Sequence, residues 1–212
     1  MEDFGKKLSI KESSSVAEME EESGNGNSRD STKVVPLLRR FLSIQQRRAQ
    51  AYSKLKRGFE EYMVSGGESA YQQLCDEITV EFNDCSKQVL EIESLFLNPD
   101  YCRSDLAQLL RAVQNQEKQK LHLTATIQVL KKAGRPSEQL VSHTNCKFEK
   151  PMEHECVHVC EITEAAGTEE AEANAKYDNA LKEAIRGVQD SVTAINEHME
   201  EVRYEIAALE DD

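Results

Sequence analysis

The stretch that decides the fold lies near the carboxyl end, where residues 185–209 read IRGVQDSVTAINEHMEEVRYEIAAL. Its apolar residues recur three and four positions apart, which is the heptad spacing of helices that pack side by side. This spacing predicts one long acidic helix over residues 171–212, with an apolar face turned to neighbouring helices. The apolar series of this helix contains Ile185, Val188, Val192, Ile195, Met199, Val202, Ile206 and Leu209.

Three earlier stretches show the same spacing and are separated by helix-ending residues. The first begins near Pro36 and ends at Gly66, the second ends before Pro99, and the third ends at Gly134. Glycine and proline end helices for known steric reasons, and short breaks make successive helices antiparallel. No strand pattern of comparable length competes. The predicted fold is all-α: an elongated antiparallel helical bundle with coiled-coil character and about four long helices.

Polar residues interrupt two of these apolar series. Arg48 lies within the first series, so we expect it to be partly buried and paired with an acid. Gln116 and Lys120 interrupt the third series. The first series contains Leu38, Phe41, Gln45, Arg48, Tyr52, Leu55, Phe59 and Tyr62, and the third contains Leu106, Leu109, Val113, Gln116, Lys120, Leu123, Ile127 and Leu130.

Composition narrows the class of protein. The 212 residues include 39 acids and 26 bases, for a net charge of −13, and no tryptophan. This balance fits long solvent-exposed helices better than a thick-cored enzyme, and it argues against a chain that coats nucleic acid along its whole surface. No run of 18 apolar residues and no secretory signal are visible, so we expect an intracellular chain without a membrane partner.

The sequence divides into four parts. Residues 1–33 are predicted to be a disordered acidic tail, because they carry almost no periodic apolar residues. Residues 34–133 form a three-helix core, and residues 134–170 form an irregular loop that contains histidines and cysteines. Residues 171–212 supply the long acidic helix that completes the bundle.

The first helix is unusually basic for this acidic chain. Between Leu37 and Arg57 the sequence has seven basic residues and no acidic one. One interpretation is a surface that faces DNA phosphates or an acidic protein partner. The other is internal pairing with the acids of the last helix, or plain solvation. We name the exposed candidates the basic ridge: Arg39, Arg40, Arg47 and Arg57.

The irregular loop contains a pattern that resembles a zinc-protease motif. His154, Glu155 and His158 match H-E-x-x-H, which would make a zinc-dependent hydrolase an alternative function. Pro151 upstream and the valines within the pattern disfavour the helix that this motif needs. Alternating ligands could instead hold a structural zinc, although the usual C-x-x-C pair is missing. We therefore predict no metal and no cofactor, and the candidates for a metal site are His154, Cys156, His158 and Cys160.

Several motifs of the helices resemble the "required for excision, B-type" (Rex-B) family of DNA-repair proteins. In the first helix these are LLRRFL at 37–42 and QQRRAQAY at 45–52, followed by Leu55, Gly58, Phe59 and Tyr62. The segments LTATIQVL at 123–130 and MEEVRYEI at 199–206 are also similar to that family. The resemblance covers about residues 34–210.

This resemblance implies a process rather than a catalytic site. The family is helical, is associated with excision repair of DNA damage, and has no assigned catalytic residue. We therefore expect a non-enzymatic helical adaptor that is nuclear or nucleocytoplasmic, with DNA-repair factors as protein partners and direct DNA binding left open. The alternative is a generic coiled-coil scaffold that self-associates as a homo-oligomer. The motif positions that we expect to pack the bundle are Arg48, Ala51, Tyr52, Gly58, Phe59 and Tyr62.

Overall fold

A computed structural model of the chain describes residues 27–138 and 164–211, which form four α-helices. They are α1 (Asn27–Ser65), α2 (Glu68–Phe96), α3 (Ser104–Ala133) and α4 (Glu164–Asp211), with a short 3-10 turn at Pro136–Glu138. These residues contain no strand, so the predicted all-α bundle is confirmed. None of the described helices carries an apolar stretch long enough to cross a membrane.

Two helix boundaries differ from the predicted ones. Helix α1 begins at Asn27, so Pro36 lies inside the helix rather than at its start. Residues before the proline remain helical because Val34 and Val35 are buried against the other helices, and this burial outweighs the hydrogen bond that a proline removes. Helix α4 begins at Glu164, so 164–170 are helical rather than part of a loop. The predictions for 1–26 and 139–163 lie outside the described residues.

The four helices run alternately up and down. Gly66 makes the tight turn after α1, with a φ of 69° that favours glycine. Helix α4 is antiparallel to α3, as two ion pairs at opposite ends of the pair show. Arg135 Nη2 lies 2.6 Å from Asp178 Oδ2 at one end, and Arg103 Nη2 lies 2.6 Å from Glu205 Oε1 at the other.

Two apolar cores lie one above the other along the bundle. The four-helix core is at the end where α1 begins, and all four helices contribute to it. The upper core is smaller and is built mainly by α1 and α2. The four-helix core includes Val34, Leu38, Phe41, Val89, Ile92, Phe96, Leu106, Leu110, Val113 and Val202, and the upper core includes Ala51, Leu55, Ile78 and Phe82.

Helix α4 is covered by α1 only along its carboxyl-terminal part. There Ile195, Met199, Val202 and Ile206 are buried, as the heptad series predicts. The prediction is wrong for Ile185 and Val192, which are 40% and 37% exposed. The reason is that α4 packs mainly along α3, so α1 leaves the apolar face of α4 open above this point.

Candidate functional site

A layer of polar side chains separates the two apolar cores. Its most buried members are Arg48, with 2% of its surface exposed, and Gln45 and Glu117, with 7% each. Burying such groups is unfavourable unless they bind one another, so the layer must be connected by hydrogen bonds. We name it the polar layer: Gln45, Arg48 and Tyr52 of α1, Ser86 of α2, and Gln114, Glu117 and Lys120 of α3.

The Arg48 guanidinium joins three helices. Its Nη2 donates to Ser86 Oγ at 3.2 Å and to the Oε1 of Gln114. When the Gln45 amide is oriented to satisfy both its neighbours, its oxygen accepts from Arg48 Nη1 at 3.0 Å. Arg48 is therefore buried as predicted, but its hydrogen-bond partners are neutral, and among the described residues no acid lies within ion-pair distance of it.

Glu117 is the negative centre of the polar layer. Its Oε2 accepts from Lys120 Nζ at 3.2 Å, and its Oε1 accepts from the Gln45 amide at 3.2 Å. The Tyr52 hydroxyl donates to the Glu117 backbone carbonyl at 3.3 Å. Lys120 Nζ also lies 3.9 Å from the centroid of the Tyr52 ring, a distance at which a cation is attracted to an aromatic face.

Burial shifts the pKa values of three groups in this layer. It lowers the pKa of Arg48 and of Lys120, while the nearby Glu117 carboxylate opposes both shifts. Burial, followed by the charge of Glu117, raises the pKa of the Tyr52 phenol. Perturbed pKa values can mark functional sites. Here each charged group is held by a partner inside the bundle, so the layer fixes the three helices relative to one another.

A groove opens on each side of the polar layer. One lies between α2 and α3, has a volume of about 610 Å³, and contains the ion pair that Arg111 Nε makes with Glu93 Oε1 at 2.9 Å. The other, the α1–α4 groove, has a volume of about 700 Å³ and lies where α4 separates from α1. Its lining includes Leu42, Gln46 and Ala49 of α1, Glu117 and Lys120 of α3, and Val192, Ile195, Met199 and Arg203 of α4.

The structure does not place the four arginines of the basic ridge on one surface. Arg39 forms an ion pair with Glu210 of α4. Arg40 and Arg47 lie on the other side of α1 and bind acids of α2. Adjacent residues on a helix point about 100° apart, which separates Arg39 from Arg40.

The acids of α2 neutralise two of these arginines. Arg40 Nη2 lies 3.1 Å from Glu91 Oε2. Arg47 binds Glu81 Oε1 at 2.8 Å through Nε and Asp84 Oδ2 at 2.7 Å through Nη2. The hydrogen bonds to Asp84 and then Glu81 raise the pKa of Arg47. The expected internal pairing thus occurs, but only Arg39 uses the last helix.

Arg57 differs from the other three members of the basic ridge. It is exposed and forms no ion pair within the described residues, and the same holds for Lys54 and Lys56. Arg57 is therefore the one member of the basic ridge without an ion pair in the described part of the chain, and the neighbouring Lys54 and Lys56 are unpaired there as well.

The remaining motif positions pack α1 against α2. Ala51 and Phe59 are buried, and the Tyr62 ring stacks on Tyr71 with centroids 5.0 Å apart. A Cβ at Gly58 would lie 2.0 Å from Leu74 Cδ2. Glycine leaves this space to the Leu74 side chain of the neighbouring helix, which would have to move to admit a larger residue.

The candidates for a metal site lie outside the described residues. They are His154, Cys156, His158 and Cys160, together with the H-E-x-x-H pattern. Among residues 27–138 and 164–211, no three His, Cys, Asp or Glu side chains come together as metal ligands would.

Sequence reasoning did not find Ser86, Gln114 or Glu117. Glu117 had a signal, since Leu110, Val113 and Glu117 continue a heptad series in which the acid takes a core position. The predicted third series shares Leu106 and Val113 with the buried face of α3, but it took Leu109 and Gln116 in place of Leu110 and Glu117.

The helices that build the polar layer also match a known family. Residues 36–131, which span most of α1 and nearly all of α3, match the sequence profile described as DNA repair REX1-B. These residues make up a little less than half of the chain, and over them it is similar to the DNA repair REX1-B family. Every residue of the polar layer lies inside this REX1-B segment, whereas α4 lies outside it.

Two curated relatives match just under half of the chain. The "Required for excision 1-B domain-containing protein" of Mus musculus is 29% identical over 104 residues, which cover 48% of this chain and 61% of that protein. The protein of the same name from Bos taurus is 30% identical over 97 residues, which cover 44% of this chain and 53% of that protein. This chain thus spans little more than half of either relative. No solved structure gave a significant match.

Proposed function

We propose that this chain is a non-enzymatic helical adaptor that acts in DNA excision repair in the nucleus, through contacts with other repair proteins. The observation that carries the proposal is the internal neutralisation of the basic ridge in a chain that is similar to this family. Arg39, Arg40 and Arg47 each bind an acid of the bundle. Only Arg57 of the four has no acidic partner among the described residues, so the basic ridge does not present a row of unpaired cations to DNA phosphates.

The arrangement of the polar layer supports the non-enzymatic part of the proposal. A general acid, base or nucleophile must reach a substrate with a free lone pair or proton. Glu117 accepts from two side chains, Lys120 is held by Glu117 and the Tyr52 ring, and Arg48 donates to three neutral groups. These groups serve the packing of α1, α2 and α3 and leave little capacity for chemistry.

One observation favours direct DNA contact as a second candidate function. Lys54, Lys56 and Arg57 are exposed and have no ion pair in the described part of the chain. Three adjacent free cations are enough for weak, salt-sensitive association with phosphates. The net charge of −13 opposes it, since the chain as a whole repels a polyanion.

Two measurements test the proposal. The first is survival after ultraviolet irradiation of cells that lack the chain, with and without re-expression of the full-length protein. We expect lower survival without the chain and recovery with it, and equal survival in both would refute a role in repair. The second is anisotropy of labelled single- and double-stranded DNA at low and physiological salt. Tight binding that is lost in a Lys54→Glu, Lys56→Glu and Arg57→Glu variant would replace the adaptor by a DNA-binding protein.

A further inference from the structure

The α1–α4 groove carries apolar surface that no described residue covers. Val192 belongs to the heptad series of α4 and is 37% exposed, while Ala49 on the facing wall is small and exposed. One heptad above Val192, Ile185 is 40% exposed. The apolar stripe of α4 therefore continues beyond the point where α1 stops covering it, and it lacks a helix to pack against.

The shape of the groove favours a helix as its occupant. Helices α1 and α4 form the two walls of the groove and α3 forms its floor, so the groove runs along the bundle axis. A helix laid between α1 and α4 could pack with ridges in grooves, as neighbouring helices of the bundle do. Exposed residues Gln46 and Ala49 are three positions apart on α1 and would face such a helix together.

The charge of the groove favours an acidic occupant. Its lining has Arg39, Lys120 and Arg203 against the single acid Glu117, in a chain whose net charge is −13. Arg39 and Arg203 are bound to Glu210 and Glu200, but these pairs are solvent-exposed and therefore weak enough to exchange with another carboxylate.

Free cations extend the same wall of α1. Helical periodicity places Ser53, Lys56 and Arg57 above Gln46 and Ala49 along one side of the helix. Lys56 and Arg57 form no ion pair among the residues that the structure describes. Carboxylates on the part of a bound helix that extends beyond the groove would lie close to these cations.

We propose that the α1–α4 groove binds an acidic amphipathic helix of a partner protein, with apolar residues over Ala49 and Val192 and carboxylates toward Lys56 and Arg57. This inference rests on the proposed adaptor function and specifies its binding surface. Single-stranded DNA fits less well, because the floor presents the buried carboxylate of Glu117. A second copy of the chain is the alternative occupant, and sedimentation tests it.

The experiment is a selection of displayed random peptides of about 20 residues, enough for a helix about 30 Å long. The target is the full-length chain, and the Val192→Glu variant serves for counter-selection. We expect the retained peptides to have apolar residues at i, i+3 or i+4 and i+7, with an excess of Asp and Glu on the flanks. Their affinities are then measured by fluorescence anisotropy.

Matched variants locate the binding surface. We expect Val192→Glu to weaken binding about tenfold or more, because it places a charge in the apolar contact. Val80→Glu is its control, since Val80 is 69% exposed on α2 and outside the groove. Gln46→Glu should weaken binding about threefold by repulsion, whereas Gln119→Glu, exposed on α3 outside the groove, should not. Circular dichroism checks that all four variants fold.

The outcomes distinguish a failure of the inferred binding site from a failure of the proposed function. Selected peptides without an acidic excess, peptides equally well bound by Val192→Glu, or no selected peptide at all would each overturn the inference. So would competition by single-stranded DNA at these residues, or a dimer in sedimentation that Val192→Glu abolishes. If the Val192→Glu variant restores survival after irradiation as well as the wild type does, the inferred binding site in the groove is refuted and the proposed adaptor function is retained. If loss of the whole chain leaves survival unchanged, the proposed function itself fails.

Discussion

Replacing Arg48 by methionine tests whether the polar layer stabilises the bundle. Methionine keeps the length of the arginine stem and removes the guanidinium, so the cavity left behind is small. The change deletes the hydrogen bonds to Ser86 Oγ at 3.2 Å, to Gln114 and to Gln45. It also leaves Glu117 with Lys120 as its only nearby cation in the layer.

The expected magnitude follows from two opposing effects. Each hydrogen bond to a charged group contributes about 1.5–3 kcal/mol, and an orphaned buried acceptor costs about 1–3 kcal/mol. Against this, the variant no longer buries a guanidinium, whose desolvation costs several kcal/mol. We expect the free energy of unfolding to fall by about 2–4 kcal/mol for Arg48→Met. A domain with the usual stability of about 5–15 kcal/mol would remain folded.

The neighbouring residue provides the control. Arg47 has two acidic partners, but its side chain is 35% exposed, so Arg47→Met should cost only about 0–1 kcal/mol. Adding Gln114→Leu to Arg48→Met should recover about 1 kcal/mol or more, because the amide is no longer an orphan. Urea unfolding followed by far-ultraviolet circular dichroism measures all four proteins. Equal costs for Arg47→Met and Arg48→Met would refute the energetic role that we assign to the layer.

Three further predictions concern single contacts. Gly58→Ala should destabilise the chain by about 1–2 kcal/mol in urea unfolding, because overpacking against Leu74 exceeds the gain in helix propensity, and the sign should reverse in a Leu74→Ala background. Tyr52 has a raised pKa, so its stabilisation is present below pH ~10 and is lost at higher pH. Tyr52→Phe should therefore reduce the alkaline slope of unfolding free energy by up to about 1.4 kcal/mol per pH unit, and an unchanged slope would contradict this. Hydrogen bonds from Arg47 and then Gln88 lower the pKa of Asp84, so that stabilisation is present above pH ~3.9 and is lost as pH falls through the lowered value. Arg47→Gln should move the Asp84 pKa back toward 3.8, as carboxyl NMR titration would show.

The spacing of apolar residues predicted the fold well where a contact joins apolar heptad residues of two helices. Phe41 and Leu55 of the first series are buried, and so are Val89 and Phe96 of α2. Burial of such a face depends on the local pattern, because any neighbouring helix will cover it. The same logic failed at Val192, since α4 leaves α1 there and no local signal in the sequence reports where two distant helices separate.

The polar layer was only partly predictable, because its hydrogen bonds join residues that are distant in the sequence. The position of Arg48 in an apolar series revealed that it is buried, but its acceptors Ser86 and Gln114 lie 38 and 66 residues away. One long-range signal was present and not used. Glu81, Asp84 and Glu91 form an acidic stripe on α2 at helical spacing, opposite arginines seven residues apart on α1.

That acidic stripe changes how charge reversal on α1 must be interpreted. Reversing Arg40 or Arg47 would place like charges beside the acids of α2, so a loss of repair activity could reflect a weakened bundle and not a lost partner. A joint exchange of Arg47→Glu with Asp84→Arg and Glu81→Gln restores an attractive pair, leaves no Glu81 carboxylate beside the new one, and removes the arginine from α1. If a partner protein binds the Arg47 side chain, this exchange should abolish repair in a protein of normal stability. We expect it to preserve repair, because the surface that we assign to the partner is the α1–α4 groove, on the other side of the helix.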